Sequence, residues 1–292
     1  MNTFTLCLAA VVLFVAVAAP LPQNEPASAQ AILEKAMRAA GGAANLSRFV
    51  AFHWKGEAVV HAGDRVIPIT GEWYVQPPDR AWVRTEDQLS GTKSSRLMVI
   101  DRGRGWMQMN GKTQTMEQEF LDHELEQFYL YYLMRLAPLR DKAFHVSLLH
   151  QIGKENLETV IVGATKSELS SFHLNPLGLH ISHAGHQDVE LFFDRLTGLL
   201  VKAITRRTDP TSGKEVRQEL LLTNYTLEKG VRWPRKLTIF WDNRPYFELK
   251  ITEFAPLKKL DDKLFEKSGQ LSANSNQLSA VSSQLRAKSR ER

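Results

Sequence analysis

The chain is nearly without cysteine. Its one thiol, Cys7, sits inside an apolar N-terminal run, so the body has no disulfide, no thiol nucleophile and no cysteine metal site. The short motifs of common enzyme classes are missing too. There is no GxSxG elbow, no P-loop, no GxGxxG fingerprint and no HExxH helix. Asp and Glu are plentiful, yet no spacing pairs two of them in a shared apolar pocket, as acid–base catalysis would ask. A basic face is also lacking. The formal charge is +5, but residues 267–292 hold five bases against one acid, which leaves 32 bases and 31 acids for the first 266 residues. A nucleic-acid-binding domain would carry its excess in the body, so nucleic acid is set aside as a partner.

What is present begins with Phe4–Ala19, an almost unbroken apolar run. It is short of the roughly 20 residues that a spanning helix needs. Ala16-Val17-Ala18 reads as a cleavage site, with Ala27-Ser28-Ala29 a second one. Residues 1–19 are therefore expected to be a signal peptide and 20–29 a linker, and the protein to be periplasmic or otherwise exported. No Lys or Arg precedes the run, and an uncleaved N-terminal membrane anchor is the alternative. At the other end, Gln270, Gln277 and Gln284 open three seven-residue repeats in which only Leu recurs as a strong hydrophobe. A coiled coil wants two apolar positions per heptad, so 267–292 is expected to be a disordered low-complexity tail. Residues 30–266 form the folded body, long enough to hold itself together by its core.

The body starts with a short helix, whose stripe is Ile32, Leu33, Ala36, Met37 and Ala40 and whose stop is Gly41-Gly42. The period then changes to two. Strands are expected at 52–60, 66–76, 80–85, 96–100, 105–109 and 112–116, with Asn110-Gly111 a strong hairpin turn. A long helix interrupts. Thr115-Met116-Glu117-Gln118 resembles a capping box. Leu121, Leu125, Phe128, Tyr132 and Leu136 share one face, with Asp122, Glu124 and Glu126 on the wet side, and Pro138 ends the helix. Its second half, Phe128 to Met134, is apolar nearly all round and wants cover on more than one face, or a ligand. Further strands follow at 188–194, 199–207, 215–227, 235–242 and 246–254. Short connections imply antiparallel pairing, and a sheet of that length should curl strongly. The fold class expected is α+β and mostly antiparallel β. It is a strongly curved single sheet, with an N-terminal helix and an inserted helix packed on its concave face.

His173, His180, His183 and His186 cluster in the sequence. Zinc takes imidazole ligands, but His180 and His183 would point to opposite faces of a strand, and only Asp188 lies near. A polar loop at a strand edge accounts for them, and neither metal nor cofactor is expected.

Gly71-Glu72-Trp73-Tyr74-Val75-Gln76-Pro77-Pro78-Asp79-Arg80 resembles the G-x-W-x-V-x-x-P-x-R stretch of the outer-membrane lipoprotein-sorting, or LolA-like, proteins. Asp101 to Trp106 is similar to their next hairpin, and Phe193-Asp194-Arg195-Leu196-Thr197-Gly198-Leu199-Leu200 to their F-D-x-x-T-G-L-L hairpin. Asn224-Tyr225, Gly230-Val231-Arg232-Trp233-Pro234 and Leu260 to Phe265 also fit. The likeness spans about residues 30–266. It implies a half-barrel closed by helices, holding an acyl chain or lipid. A non-catalytic envelope carrier of a lipid or acylated lipoprotein is then expected, monomeric, with envelope membrane proteins as further partners. Trp73, Val75, Trp82, Trp106, Phe128, Tyr132, Phe247 and Leu249 are the candidate lining, and a register error of one residue would exchange the set for its neighbours. An interaction module with a dry core, and a metal-dependent enzyme built on the histidines, are the alternatives.

Overall fold

Period-two alternation turns into strands almost everywhere it was read. The computed structural model describes residues 28–89, 92–149, 176–210 and 212–266. The expected signal peptide, the low-complexity tail and His173 lie outside the described residues. Thirteen strands form one antiparallel sheet. They are β1 Ala51–Ala62, β2 Arg65–Gln76, β3 Arg80–Leu89, β4 Thr92–Asp101, β5 Arg104–Met109, β6 Lys112–Thr115, β7 His145–Leu148, β8 Leu177–Ser182, β9 Val189–Phe193, β10 Leu200–Thr208, β11 Glu215–Glu228, β12 Val231–Trp241 and β13 Arg244–Leu257. Their order is β6-β5-β4-β3-β2-β1-β13-β12-β11-β10-β9-β8-β7. The sheet is thus two meanders joined where β1 pairs with β13, and it stays open between β6 and β7. β7 and β8 are additional to the strands expected from the sequence.

Two-residue turns set the register. Arg102-Gly103, Asn110-Gly111, Lys229-Gly230 and Asp242-Asn243 all have positive φ at both positions. That is the twist which lets a tight hairpin match its right-handed strands.

Among the described residues there are three α-helices: α1 Ala29–Ala39, α2 Ala43–Arg48 and α3 Gln118–Met134. The last residues of the expected linker belong to α1, where the Ser28 hydroxyl caps the helix by accepting from Ala31 N at 3.1 Å. α1 buries Ile32, Leu33, Ala36 and Met37 of the expected stripe, while Ala40 is its C-cap. The capping box does not form. α3 starts at Gln118 with Glu117 at its N-cap and no side-chain cap. It ends at Met134 before Pro138 is reached, and Leu136 beyond it takes φ 61°.

The main core lies between the helices and one face of the sheet. It joins Leu33 and Met37 to Phe52, Trp54, Trp73, Leu133, Leu220, Leu249 and their neighbours. A smaller cluster lies on the other face: Ala51, Trp82, Leu97, Val99, Trp106, Leu260 and Leu264. A 3-10 turn at Asp262–Phe265 contributes to it. Phe128 to Met134 of α3 is buried on nearly every side, which answers its all-round apolarity.

Candidate binding cavity

Between α3 and the inner face of the sheet lies a cavity of about 220 Å³. Its apolar wall is Trp54, Ile69, Trp73, Val83, Met98, Met107, Phe120, Phe128, Ile239, Phe247 and Leu249. Trp54 and Trp73 are register partners on β1 and β2, with rings 6.4 Å apart. Tyr131 meets the Trp54 ring edge-on at 6.1 Å. An open groove of about 760 Å³ runs over β1, β2, β3, β12 and β13 and shares Ile69 and Leu249 with the cavity. Its volume is within the roughly 300–1,000 Å³ usual for ligand sites.

Of the eight candidate lining residues, Trp73, Phe128, Phe247 and Leu249 stand in this wall. Val75 is buried on the same face but outside the wall, in the core. Trp82 and Trp106 are corrected: they lie on the opposite face, in the smaller cluster. The cause is strand parity. Trp82 is opposite Tyr74 and Trp106 opposite Val99, while Val83 is opposite Trp73, so the inward residues are the immediate neighbours. Tyr132 is also displaced. It leans on Tyr129 and Phe144, each with its ring 6.4 Å away, and takes no part in the wall.

The polar lining was not legible in the sequence. Thr85, Arg96, His123, Glu124, Gln127, Arg207 and Tyr246 also border the cavity. Glu124 corrects the wet-side reading. Residues 120, 123, 124, 127, 128 and 131 share one stripe at helical spacing, and that stripe faces the cavity. Leu121 instead packs beside Met116 under Gly105, where a Cβ would come within 2.4 Å of the Met116 sulfur. The Glu124 carboxyl is raised above the usual carboxylate range by burial, although Arg207 and Arg96 pull it down.

Arg207 holds α3 to the sheet. Its Nη1 donates to Gln127 Oε1 at 2.6 Å and to Gln218 Oε1 at 3.1 Å, and its Nη2 donates to the carbonyl of His123. Trp241 Nε1 adds a bond to Gln218 Oε1 at 3.1 Å. Arg207 is 5% exposed, so these bonds replace water it has lost.

His123 donates from Nδ1 to Thr208 O at 3.1 Å, and burial, then the charge of Arg207, push its pKa down to about 4. The fold thus favours the neutral ring. This contribution is complete above the unfolded value of 6.5 and is lost as the pH falls toward 4. Wild type is expected to lose about 1 kcal/mol more than His123→Gln between about pH 7 and about pH 5, allowing for the ring's partial exposure. Urea midpoints at the two pH values check this.

His180, His183 and His186 are engaged with other side chains. His180 Nε2 pairs with Asp188 Oδ2 at 3.1 Å. His183 and His186 stack 5.1 Å apart, with Phe144 4.4 Å from His183 and Tyr129 3.7 Å from His186. Among the described residues no three His, Cys, Asp or Glu side chains are placed to hold a metal ion.

No family model and no curated protein matches the sequence. The structure is similar to an outer membrane lipoprotein-sorting protein domain from Vibrio parahaemolyticus, with a TM-score of 0.50 at 10% identity over 83% of this chain and 97% of that one. Its fold is that of the lipoprotein-sorting proteins. Two further solved structures are similar at lower scores. One is a LolA superfamily protein from Nitrosomonas europaea (TM-score 0.48, 15% identity, 83% and 99% of the chains). The other is a DUF1329 family protein from Desulfovibrio piger (TM-score 0.48, 10% identity, 84% and 99%).

The sequence stretches that resemble lipoprotein-sorting proteins turn out to fasten this fold. Arg80 bridges Asp101 at 2.8 Å and Asp262 at 2.7 Å and lies 3.9 Å over the Phe265 ring. Asp194 Oδ1 accepts from Thr197 N and Oγ1 at 2.6 and 2.7 Å, which makes the turn ending at Gly198. Lys35 of α1 donates to Arg195 O at 2.5 Å. Arg232 N donates to Ala40 O at 2.8 Å, tying the β11–β12 hairpin to the end of α1. None of these side chains borders the cavity.

Proposed function

We propose that this protein is a cell-envelope binding or carrier protein for a lipid or a lipoprotein acyl chain, exported and non-catalytic. The observation that carries the reading is the cavity beneath α3, walled by tryptophan, phenylalanine and aliphatic side chains and adjoined by an open groove. An acyl chain needs such a surface and little else, since each buried methylene contributes about 0.8 kcal/mol without directional bonding. The lipoprotein-sorting fold is consistent with this reading, though fold alone does not assign function.

The test is native mass spectrometry of protein purified from the exported fraction, with solvent extraction of what it carries. A bound mass in the lipid range is expected. Thr85→Trp, which places an indole in the cavity from a half-buried strand position, is expected to weaken binding of a fluorescent fatty acid about tenfold or more. Denying the cavity to two methylenes is enough for that. A clean apo mass from a protein that also ignores the fluorescent fatty acid would sink the carrier reading and favour an interaction module.

A further inference from the structure

The charge of the body is sorted by place. At the end of the sheet where β9 turns into β10 and β11 into β12, those two turns join α1, α2 and the 3-10 turn Ala137–Arg140 in one surface. Hydrogen bonds hold the pieces together. Lys35 Nζ donates to Arg195 O at 2.5 Å and Arg232 Nη1 to Ala39 O at 3.0 Å. Asn45 Nδ2 donates to Gly230 O at 3.2 Å. α2 touches the 3-10 turn, and Arg135 at the end of α3 donates to Leu46 O at 3.4 Å. The segments 29–48, 137–142, 194–198 and 227–232 hold eight bases against four acids. The first 266 residues hold 32 and 31, so the rest of the body has 24 bases and 27 acids. A near-neutral body thus carries one basic end.

Six of the eight bases are exposed: Arg38, Arg48, Arg140, Lys142, Lys229 and Arg232. The acids are less available. Asp141 accepts from Ala143 N at 2.9 Å and Asp194 from Thr197 N at 2.6 Å, each within its own turn, and Glu34 accepts from Gln30 at 2.9 Å. Two bare leucines stand among the bases. Leu196, in the β9–β10 turn, is 65% exposed, and Leu227, beside the β11–β12 turn, is 59% exposed.

We propose that this end of the molecule docks on an anionic bilayer surface, with Leu196 and Leu227 entering the layer beneath the head groups. Each base near such a surface raises affinity about fivefold. An apolar side chain at a turn tip gains further by leaving water for the boundary between head groups and acyl chains. A nucleic acid offers the charge alone. A bilayer offers the charge with an apolar layer under it, which is the pairing that exposed leucines among bases match. Docking is independent of what the cavity holds, so the carrier reading and this one fail separately.

The experiment is co-sedimentation of the protein from the exported fraction with vesicles of phosphatidylcholine, alone or mixed with phosphatidylglycerol. Wild type is expected to bind the mixed vesicles about tenfold or more tightly than the neutral ones, and to lose the difference as added salt screens the charges. Arg38→Gln, Lys142→Gln and Lys229→Gln together are expected to weaken binding about a hundredfold. Removing as many charges at the far end of the sheet, by Lys112→Gln, Lys214→Gln and Arg244→Gln, is expected to change it little. Leu196→Ser with Leu227→Ser is expected to weaken it about tenfold and to leave the salt dependence intact. All eight positions are exposed, so urea midpoints near that of wild type are expected and report the fold. Equal binding to the two kinds of vesicle would overturn the proposal. So would equal effects of the two triple variants, which would place the binding in net charge or in residues 267–292. Loss on neutralising the bases with none on changing the leucines would leave a general anion-binding surface, open to an acidic protein, and would overturn the bilayer assignment.

Discussion

Replacing Gly41 with alanine is expected to lower stability by about 2–5 kcal/mol, combining the cost of a forbidden backbone conformation with that of overpacking. Gly41 has φ 126°, and a Cβ there would stand 2.0 Å from the carbonyl oxygen of Gly230. The obstacle is backbone and cannot rotate away. The same junction carries Asn45 Nδ2 donating to Gly41 O at 2.9 Å and to Gly230 O at 3.2 Å. The substitution therefore pries α1 and α2 from the β11–β12 hairpin. Gly42, with φ 85° but nothing within 4 Å of its Cβ position, is the control. Its alanine variant should lose only the conformational part. Urea unfolding of both variants measures the difference, and equal losses would refute the clash.

Arg207→Met is expected to cost about 3–5 kcal/mol, the range for breaking a buried charged network by removing one partner. Methionine replaces the stem of the side chain but leaves Gln127 Oε1, Gln218 Oε1 and the His123 carbonyl short of a donor. Those acceptors lie on α3 and β11, so the loss is directed at the seat of the helix over the cavity. Hydrogen exchange should rise across Gln118–Met134 more than across β1 or β13, and lipid binding should weaken in parallel. Uniform exchange across the sheet would place Arg207 in general stability alone. Arg207→Lys should recover only part of the loss, because an ammonium lacks the planar fork that reaches three acceptors.

The elements of the fold were readable because their signals are local. Ile32, Leu33, Ala36 and Met37 recur at helical spacing and are all buried. Asn110-Gly111 and Asp101-Arg102-Gly103-Arg104 made their hairpins because two-residue turns with positive φ favour Asn and Gly. The exception is His145–Leu148 with Leu177–Ser182. Val146 and Leu148, and Leu177, Leu179 and Ile181, do alternate and pack on the core, but each strand is short and complete alternation over so few residues is a weak signal.

The site was half readable, and the two tryptophans on the wrong face show why. Period two states that Trp73 and Val75 share a face, and that Trp82 and Val83 do not. It does not say which face turns inward. On most sheets the polar side settles that question, but here β3 to β5 are apolar on both. Val83 and Met98 pack inward, and Trp82, Leu97, Val99 and Trp106 pack beneath the C-terminal turn. Glu124 misled for the mirror-image reason. A carboxylate in a helical pattern is read as solvent-facing because most are, whereas the stripe it shares with Phe120, Gln127, Phe128 and Tyr131 faces the cavity.

The sequence by itself determined most of the local choices of helix, strand and turn, which follow from residue spacing. It also determined the antiparallel pairing that short connections impose, and hence the open, curled sheet. Only the tertiary structure decided which face of that sheet is concave, which aromatic residues wall the cavity, and that a carboxyl, an amide and two guanidiniums border it as well. Spacing acts between neighbours along the chain. The cavity joins β1 to β5 with β10, β12, β13 and α3, and contacts between residues so far apart in sequence are set by how the sheet curls and where the helix is laid across it.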